Sequence, residues 1–197
     1  MISIGVDLGK ARDYTAIAVV ARTETTIHHL ARNWENGRTE RTFDAAQLIH
    51  LERLKAGTSF IDAVKRIRET VAHPGFGPGR KRLVVDATGL GSPVVEMIRA
   101  ARMDCELRPV VITGGSGQRS SGGSWYVAKA DLMTGLRTSM ELQDLLIAER
   151  MPETPELVNE LTGFGGRGHD DMVMAVALAV WGVRLLRTGG PQNWRIL

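Results

Sequence analysis

Three acidic segments, far apart in the sequence, carry the residue types that could do chemistry. Asp7 follows the apolar run ISIGV, Asp86 follows RLVV, and a glycine comes within three residues of each. Asp170 and Asp171 stand directly before the apolar run 172–183. Carboxylates at the ends of two strands and at the start of a helix can meet where open α/β sheets bind their ligands. The sequence therefore predicts a cluster of carboxylates.

Such a cluster predicts a particular chemistry. Carboxylates that converge repel one another unless cations lie between them. Oxygen ligands without a cysteine cluster favour Mg²⁺ or Mn²⁺ over zinc. Two such ions about 3.5–4 Å apart can activate a water molecule and stabilise the leaving oxygen in a displacement at phosphorus. The expected cofactors are therefore two Mg²⁺ or Mn²⁺ ions.

Each acidic residue also has an ordinary structural interpretation. Asp170 or Asp171 alone would commonly be a helix N-cap. Asp7 or Asp86 alone could be a turn former that closes a strand. Asp13, in the segment ARDYT, is most simply a solvated turn residue. It is the combination of two strand–Asp–Gly units with an acidic entry to an apolar helix that favours a site.

Helical spacing distinguishes the two adjacent aspartates. Asp171 shares a helix face with Met174, Ala175 and Leu178, and this face is expected to look inward. Asp171 is therefore predicted to point toward the strand ends, and Asp170 to be the N-cap. Because the neighbouring face is apolar too, the choice of principal metal ligand between the two stays open.

The elements that must position these residues form a mixed α/β sheet flanked by helices, in a single domain over 1–197. Polar loops are predicted at 35–42 and, as a flexible Gly/Ser segment, at 114–124, and Ser92 is predicted to cap a helix that Pro93 opens. Predicted strands are 2–8, 14–22, 25–33, 46–54, 82–87, 107–113 and 144–148. Predicted helices are 60–71, 93–102, 128–140, 155–161 and 172–186.

Composition narrows the class of protein. A chain of 197 residues with 43% hydrophobic content suits one globular domain. Cys105 is the single cysteine, so an intrachain disulfide is excluded and a reducing compartment fits best. No secretory signal is evident, and the longest apolar run, 12 residues, is too short to span a bilayer. The formal net charge of +3 slightly favours an anionic partner.

The segments GVDLGKARDYTAIAVV, VVDATGLGSPVVEMI and GHDDMVMAVALAVW together resemble, in order and spacing, the nuclease domain of phage terminase large subunits. The resemblance covers 2–187. It implies a ribonuclease H-like fold and an endonuclease that cuts double-stranded DNA with little sequence preference during viral genome packaging. It also implies that Asp7, Asp86 and Asp171 are the catalytic, metal-binding carboxylates. Asp170 would be a further possible ligand and Asp13 a possible outer-shell contact.

The resemblance extends to partners and location. Lys129, in YVAKADLM, matches a lysine that follows a variable hairpin in this family, although a solvated helix-start lysine is an equal alternative. The candidate DNA contacts are Lys129, Arg80, Lys81, Arg82 and Arg119, although a solvated basic surface is the more common role for any one of them. Implied partners are double-stranded DNA, a separate ATPase motor, a small terminase subunit and a portal, in the cytoplasm of a bacterial host. No G-x-x-x-x-G-K-[ST] motif occurs, so the chain is expected to be an excised domain or a nuclease encoded without its motor.

Three alternative functions stay open. A Holliday-junction resolvase or a transposase-like nuclease of the same fold would use a similar carboxylate cluster. A sugar-kinase or actin-like ATPase would share the first motif, but it needs two related domains and a second phosphate loop. A catalytically inactive DNA-binding descendant is disfavoured, because an idle carboxylate cluster costs stability through repulsion.

Overall fold

The computed structural model describes residues 1–9, 13–30, 38–89, 91–148, 150–166 and 168–184. For 23–30, 38–44 and 91–92 it describes the backbone alone. The strands in these ranges are β1 Ile2–Asp7, β2 Ala16–Leu30, β3 Arg38–Arg53, β4 Lys81–Asp86, β5 Glu106–Thr113, β6 Gln118–Ser121, β7 Ser124–Ala128 and β8 Leu145–Ile147. The α-helices are α1 Phe60–Val71, α2 Gly91–Ala100, α3 Lys129–Glu141, α4 Thr154–Gly163 and α5 Asp171–Arg184.

All the described strands join one sheet, in the order β6-β7-β5-β4-β1-β2-β3-β8. The pairs β1/β2, β2/β3 and β6/β7 are antiparallel, and the other neighbours are parallel. Strands β1, β3, β4, β5, β7 and β8 therefore run in the same direction. Their last residues lie along one edge of the sheet, which we call the carboxyl edge.

The sheet lies between two layers of helices. Successive side chains of its central strands point to opposite faces of the sheet, so each layer packs against every second residue. In β1, Ile4 and Val6 join the apolar cluster formed with α1 and α2. Helix α5 covers the opposite face, where nearly all of its residues are buried. An apolar surface all round the helix is what such a buried position requires.

Two glycines let α5 lie directly against the sheet. A Cβ atom on Gly5 would stand 2.1 Å from the carbonyl oxygen of Ala175 and 2.4 Å from the amide nitrogen of Ala179. A Cβ atom on Gly182 would stand 2.1 Å from Ser3 Oγ. Helix α5 therefore runs antiparallel to β1 at a distance that only glycine permits.

The structure confirms the predicted fold class, a mixed central sheet flanked by helices. The predicted N-terminus of α1 is also confirmed, since Ser59 Oγ accepts a hydrogen bond of 3.1 Å from the Asp62 amide. Helices α3, α4 and α5 lie close to their predicted positions, although 185–186 fall outside the described residues. Within the described ranges, no helix has the combined length and apolar character needed to cross a membrane.

Several predicted boundaries were wrong. The segment 25–30 continues β2 rather than forming a separate strand, and 38–42, predicted as loop, belongs to β3; residues 31–37 lie outside the described residues. Threonine-rich polar segments favour extended structure, so the two strands pair far beyond their apolar parts. The predicted Gly/Ser loop contains β6, which pairs with β7 across Gly122 and Gly123, both with positive φ. Helix α2 begins at Gly91, so Ser92 lies within it rather than capping it.

Candidate active site

Two of the predicted site residues end neighbouring parallel strands at the centre of the sheet. Val6 of β1 is in register with Val85 of β4, so Asp7 and Asp86 are the next residues of the two strands. Opposite residues of parallel strands share a face, and here it is the face covered by α5. Both aspartates are partly buried. The strand ends thus place two carboxylates side by side at the carboxyl edge.

The glycine contact between β1 and α5 brings a third carboxylate to the same place. Gly5 lies under Ala175; Asp7 is two residues beyond Gly5, and Asp171 is one helical turn before Ala175. Because α5 runs antiparallel to β1, both steps lead toward the carboxyl edge. Asp171 is the first residue of α5 and is only 9% exposed.

The carboxylates are close enough to perturb one another. Burial raises the pKa of Asp7 well above its ordinary value, and the negative charges of Asp86, Asp171 and Asp170 raise it further, whereas Lys129 opposes the shift. Burial also raises the pKa of Asp171; there Arg53 and His169 oppose the shift and Asp170 adds to it. Four acidic side chains therefore share one electrostatic environment at the carboxyl edge.

The donor atoms fit a hard divalent cation. Asp171 Oδ2 is buried and has no hydrogen-bond partner among the described residues. The other acidic residues whose charges act on Asp7 are aspartates, and they offer carboxylate oxygens, the ligands that Mg²⁺ and Mn²⁺ prefer. In the ranges described here, however, no group of three or more His, Cys, Asp or Glu side chains is arranged to hold a metal ion. Asp86 Oδ1 accepts a hydrogen bond of 2.7 Å from the Thr88 amide, so part of the donor set is engaged locally.

Asp170 is engaged by a lysine from another helix. Lys129, the first residue of α3, places its Nζ atom 2.8 Å from Asp170 Oδ2 and 5.2 Å from the centre of the Phe164 ring. The pair is partly exposed, with side-chain exposures of 49% for the lysine and 39% for the aspartate. This ion pair places Lys129 beside the carboxylate of Asp170.

The prediction that the Asp170 side chain caps α5 was wrong. Its backbone carbonyl accepts a hydrogen bond of 2.9 Å from the Met174 amide, which is the helix-start position. The cap itself is Glu160 of α4, whose Oε2 atom accepts hydrogen bonds of 3.0 and 3.1 Å from the amides of Met172 and Val173. The Asp170 carboxylate is turned toward Lys129 instead, because α4 already satisfies these two donors.

Sequence reasoning missed a group of side chains next to Asp171. Arg53, the last residue of β3, pairs with Glu160 and Glu156 and lies 3.6 Å from Asp171 Oδ2. Its Cζ atom stands 4.9 Å from the centre of the Tyr14 ring. Arg53 could have been found from the sequence, because it is the last residue of a strand that runs parallel to β1 and therefore ends at the carboxyl edge. No local pattern marks Glu160, which acts on a helix that begins eleven residues later.

Two of the predicted DNA contacts lie at the end of the sheet opposite the carboxylates, and a third lies on β6. Arg80 precedes β4 and Lys81 is its first residue, so both lie at the strand end opposite Asp86, roughly 17 Å away along the strand. Arg119 is exposed on β6, with its Cζ atom 4.3 Å from the centre of the Tyr126 ring.

Of two further predicted residues, one lies in the connection after β1 and the other serves the fold. Asp13 is an exposed residue between β1 and β2. Arg82 is 4% exposed, pairs with Glu106 Oε2 at 2.8 Å, and donates a hydrogen bond of 2.8 Å to the Gly182 carbonyl. Its selection as a DNA contact was therefore wrong, because its guanidinium is enclosed and fastens α5 to the sheet.

No protein-family model and no curated protein sequence matches the chain. Among solved structures, the chain is similar to one titled "Thermus thermophilus RuvC structure". The two share 14% sequence identity, the match covers 96% of this chain and 97% of that chain, and the TM-score is 0.45.

Proposed function

We propose that the protein is a metal-dependent endonuclease that hydrolyses phosphodiester bonds of double-stranded DNA. The observation that carries the proposal is the placement of Asp7, Asp86, Asp170 and Asp171 in one electrostatic environment at the carboxyl edge. Burial raises the pKa of Asp7, repulsion among these groups raises it further, and a bound cation would remove that repulsion. The three sequence motifs add the resemblance to terminase nuclease domains.

Within this proposal the side chains have distinct roles. Asp7, Asp86 and Asp171 would hold two Mg²⁺ or Mn²⁺ ions, with Asp170 as a further ligand once it leaves Lys129. Bound divalent ions supply Lewis acidity at the phosphate and lower the pKa of water. Lys129 stands at the exposed side of the carboxylates and would contact a DNA phosphate as a point charge.

The surroundings of Asp7 and Asp171 restrict their movement. Asp7 ends a strand paired on both sides, and Gly9 lies so close to the Tyr14 backbone that a Cβ atom on it would stand 2.4 Å from the Tyr14 carbonyl oxygen. Asp171 is held by the first turn of α5, which Glu160 caps. Rigid elements on both sides thus fix the spacing of the carboxylates before any ligand binds.

We further propose that the reaction serves viral genome packaging, with the ATPase motor, small terminase subunit and portal as partners. This part rests on the resemblance of the three motifs alone. Because the candidate contacts are few, the nuclease by itself is expected to bind duplex DNA weakly, with a log–log salt slope of about −0.9 per phosphate contact.

A plasmid-nicking assay tests the activity. The purified chain should nick or cut supercoiled plasmid in Mn²⁺ or Mg²⁺ and should be inactive in EDTA. Asp7→Asn keeps the side-chain shape, removes the charge and should abolish cutting. Asp62→Asn is the matched control, because Asp62 is an exposed carboxylate in the first turn of α1.

Two outcomes would count against the proposal. Equal activity of the wild type and Asp7→Asn would show that the cutting does not depend on this cluster. Preferential cleavage of a four-way DNA junction over linear duplex would replace the proposed substrate with that of a junction resolvase.

A further inference from the structure

A guanidinium from β3 stands beside the carboxylate that begins α5. Arg53 Nη2 lies 3.6 Å from Asp171 Oδ2. The same side chain pairs with Glu160 through Nη2 and with Glu156 through Nη1, and its Cζ atom stands 4.9 Å from the centre of the Tyr14 ring. It is only 13% exposed. These contacts fix the guanidinium from several directions.

Arg53 offsets the charge of Asp171 without forming a hydrogen bond to it. A separation of 3.6 Å is longer than a hydrogen bond, and Asp171 Oδ2 has no hydrogen-bond partner within the described part of the chain. Burial raises the pKa of Asp171, and the positive charge of Arg53 opposes that shift. The carboxylate therefore has a compensating charge nearby but keeps oxygen lone pairs that can bind a cation.

Glu160 holds Arg53 away from Asp171. Its Oε2 atom is fixed by the amides of Met172 and Val173, and its Oε1 atom pairs with Arg53. Glu160 is 7% exposed, so its negative charge is compensated mainly by the groups that touch it. Because Glu160 holds the guanidinium on the α4 side, Arg53 Nη2 and Asp171 Oδ2 are 3.6 Å apart and do not form a hydrogen bond.

We propose that Arg53 is an internal counter-cation of the carboxylate cluster, and that Arg53 and Glu160 together set the affinity of the cluster for divalent cations. The inference rests on the proposed function in that a cation binds these carboxylates. Without a cation, Arg53 offsets part of the repulsion around Asp171. When a divalent cation binds, Arg53 opposes it, because both positive charges act on the same carboxylate. Both residues are positioning residues.

Mn²⁺ binding to the full chain, measured by titration calorimetry on metal-stripped protein well below its melting temperature, tests the proposal. Arg53→Met removes the opposing charge, so Mn²⁺ should bind about tenfold more tightly. In Glu160→Gln the amide oxygen still accepts the helix hydrogen bonds but no longer holds the guanidinium. The Nη2 atom of Arg53 is then free to pair with Asp171 while Nη1 stays paired with Glu156, and Mn²⁺ should bind about tenfold more weakly. Arg53→Lys keeps the charge and should stay within about threefold of the wild type.

Arg66→Met provides the matched control. Arg66 of α1 pairs with Glu52 at 2.9 Å, and Glu52 is the residue directly before Arg53 in β3, so this ion pair lies on the other face of the sheet. Its removal deletes an arginine–carboxylate pair of the same kind and should leave the Mn²⁺ affinity unchanged. A general loss of stability cannot produce opposite changes in affinity in Arg53→Met and Glu160→Gln.

The outcomes separate this inference from the proposed function. If the wild type binds no Mn²⁺, both fail. If the wild type binds Mn²⁺ and the Arg53 and Glu160 variants bind it equally well, Arg53 and Glu160 serve only the fold, and this inference alone is overturned. Should Arg53→Met not fold, Glu160→Gln and Arg53→Lys still decide, because weaker binding in the first with near wild-type binding in the second is expected.

Discussion

Substitution of Gly5 by alanine should disturb the contact that brings α5 to the carboxyl edge. The new Cβ atom would stand 2.1 Å from the Ala175 carbonyl oxygen and 2.4 Å from the Ala179 amide nitrogen, where ordinary contacts begin near 3.4 Å. Both neighbours are helix backbone, so the whole helix must move by about 1 Å or more. Overpacking of a core typically costs 1–3 kcal/mol, and we expect a loss of about 3 kcal/mol here because no side chain can rotate away.

Thermal and urea denaturation measure this effect. For a domain of this size, about 3 kcal/mol corresponds to a fall in melting temperature of roughly 10 °C. Gly79→Ala is the control, because a Cβ atom there has no neighbour within 4 Å. Since displacement of α5 also moves Asp171 away from Asp7, folded Gly5→Ala protein should gain less stability from Mn²⁺ than the wild type. A Gly5→Ala protein within about 0.5 kcal/mol of the control, with a full response to Mn²⁺, would refute the packing argument.

The remaining predictions concern single charged residues. Asp170→Ala should cost less than about 1 kcal/mol of stability and keep partial activity, because Asp170 forms a partly exposed ion pair with Lys129 rather than a cap. Asp171→Asn, in contrast, should lose the stabilisation by Mn²⁺. Thermal shifts with and without metal distinguish the two variants, and equal losses of the metal response would contradict this prediction. Metal-free Asp7→Asn should be more stable than the wild type at pH 7. Because the pKa of Asp7 is raised in the folded state, the stability that Asp7 contributes is fully present below the ordinary pKa of 3.8 and is lost as pH rises through the folded-state pKa. Calorimetry from pH 4 to 8 should therefore show that the difference in stability between Asp7→Asn and the wild type grows with pH. A constant difference would contradict the raised pKa. Arg82→Met should cost about 2 kcal/mol, because the buried Gly182 carbonyl loses its donor and a partly buried ion pair with Glu106 is removed. The salt dependence of DNA binding should not change, and a smaller salt slope would restore Arg82 as a DNA contact.

The strand ends could be predicted from the sequence because their signals are local. Asp7 and Asp86 each follow a short apolar run and precede glycines, a pattern that places a carboxylate at the end of a buried strand. The apolar surface all round α5 likewise predicts a buried helix, and burial requires that its first residues approach the sheet. That these two strands are adjacent and parallel follows from the mixed topology rather than from any one segment.

The partners of the carboxylates could not be predicted, because they come from distant elements. Asp170 has the residue type and position of an N-cap, but the cap of α5 is supplied by Glu160 of the preceding helix. Arg82 has the composition of a basic surface cluster, but alternation along β4 turns it inward toward Gly182. Side-chain partners across the sheet depend on register and helix placement, which spacing within one segment does not encode.

The rate at which the protein nicks supercoiled plasmid in Mn²⁺ when Asp86 is replaced by asparagine tests whether the carboxyl edge is the site of DNA cleavage. Asp86 ends β4 beside Asp7, and the substitution keeps an acceptor for the Thr88 amide, so the fold should be retained. The wild type and Asp62→Asn should nick the plasmid and stop in EDTA, while folded Asp86→Asn should give no nicking above background. Nicking by Asp86→Asn at the wild-type rate would contradict the assignment of the carboxyl edge as the site of DNA cleavage.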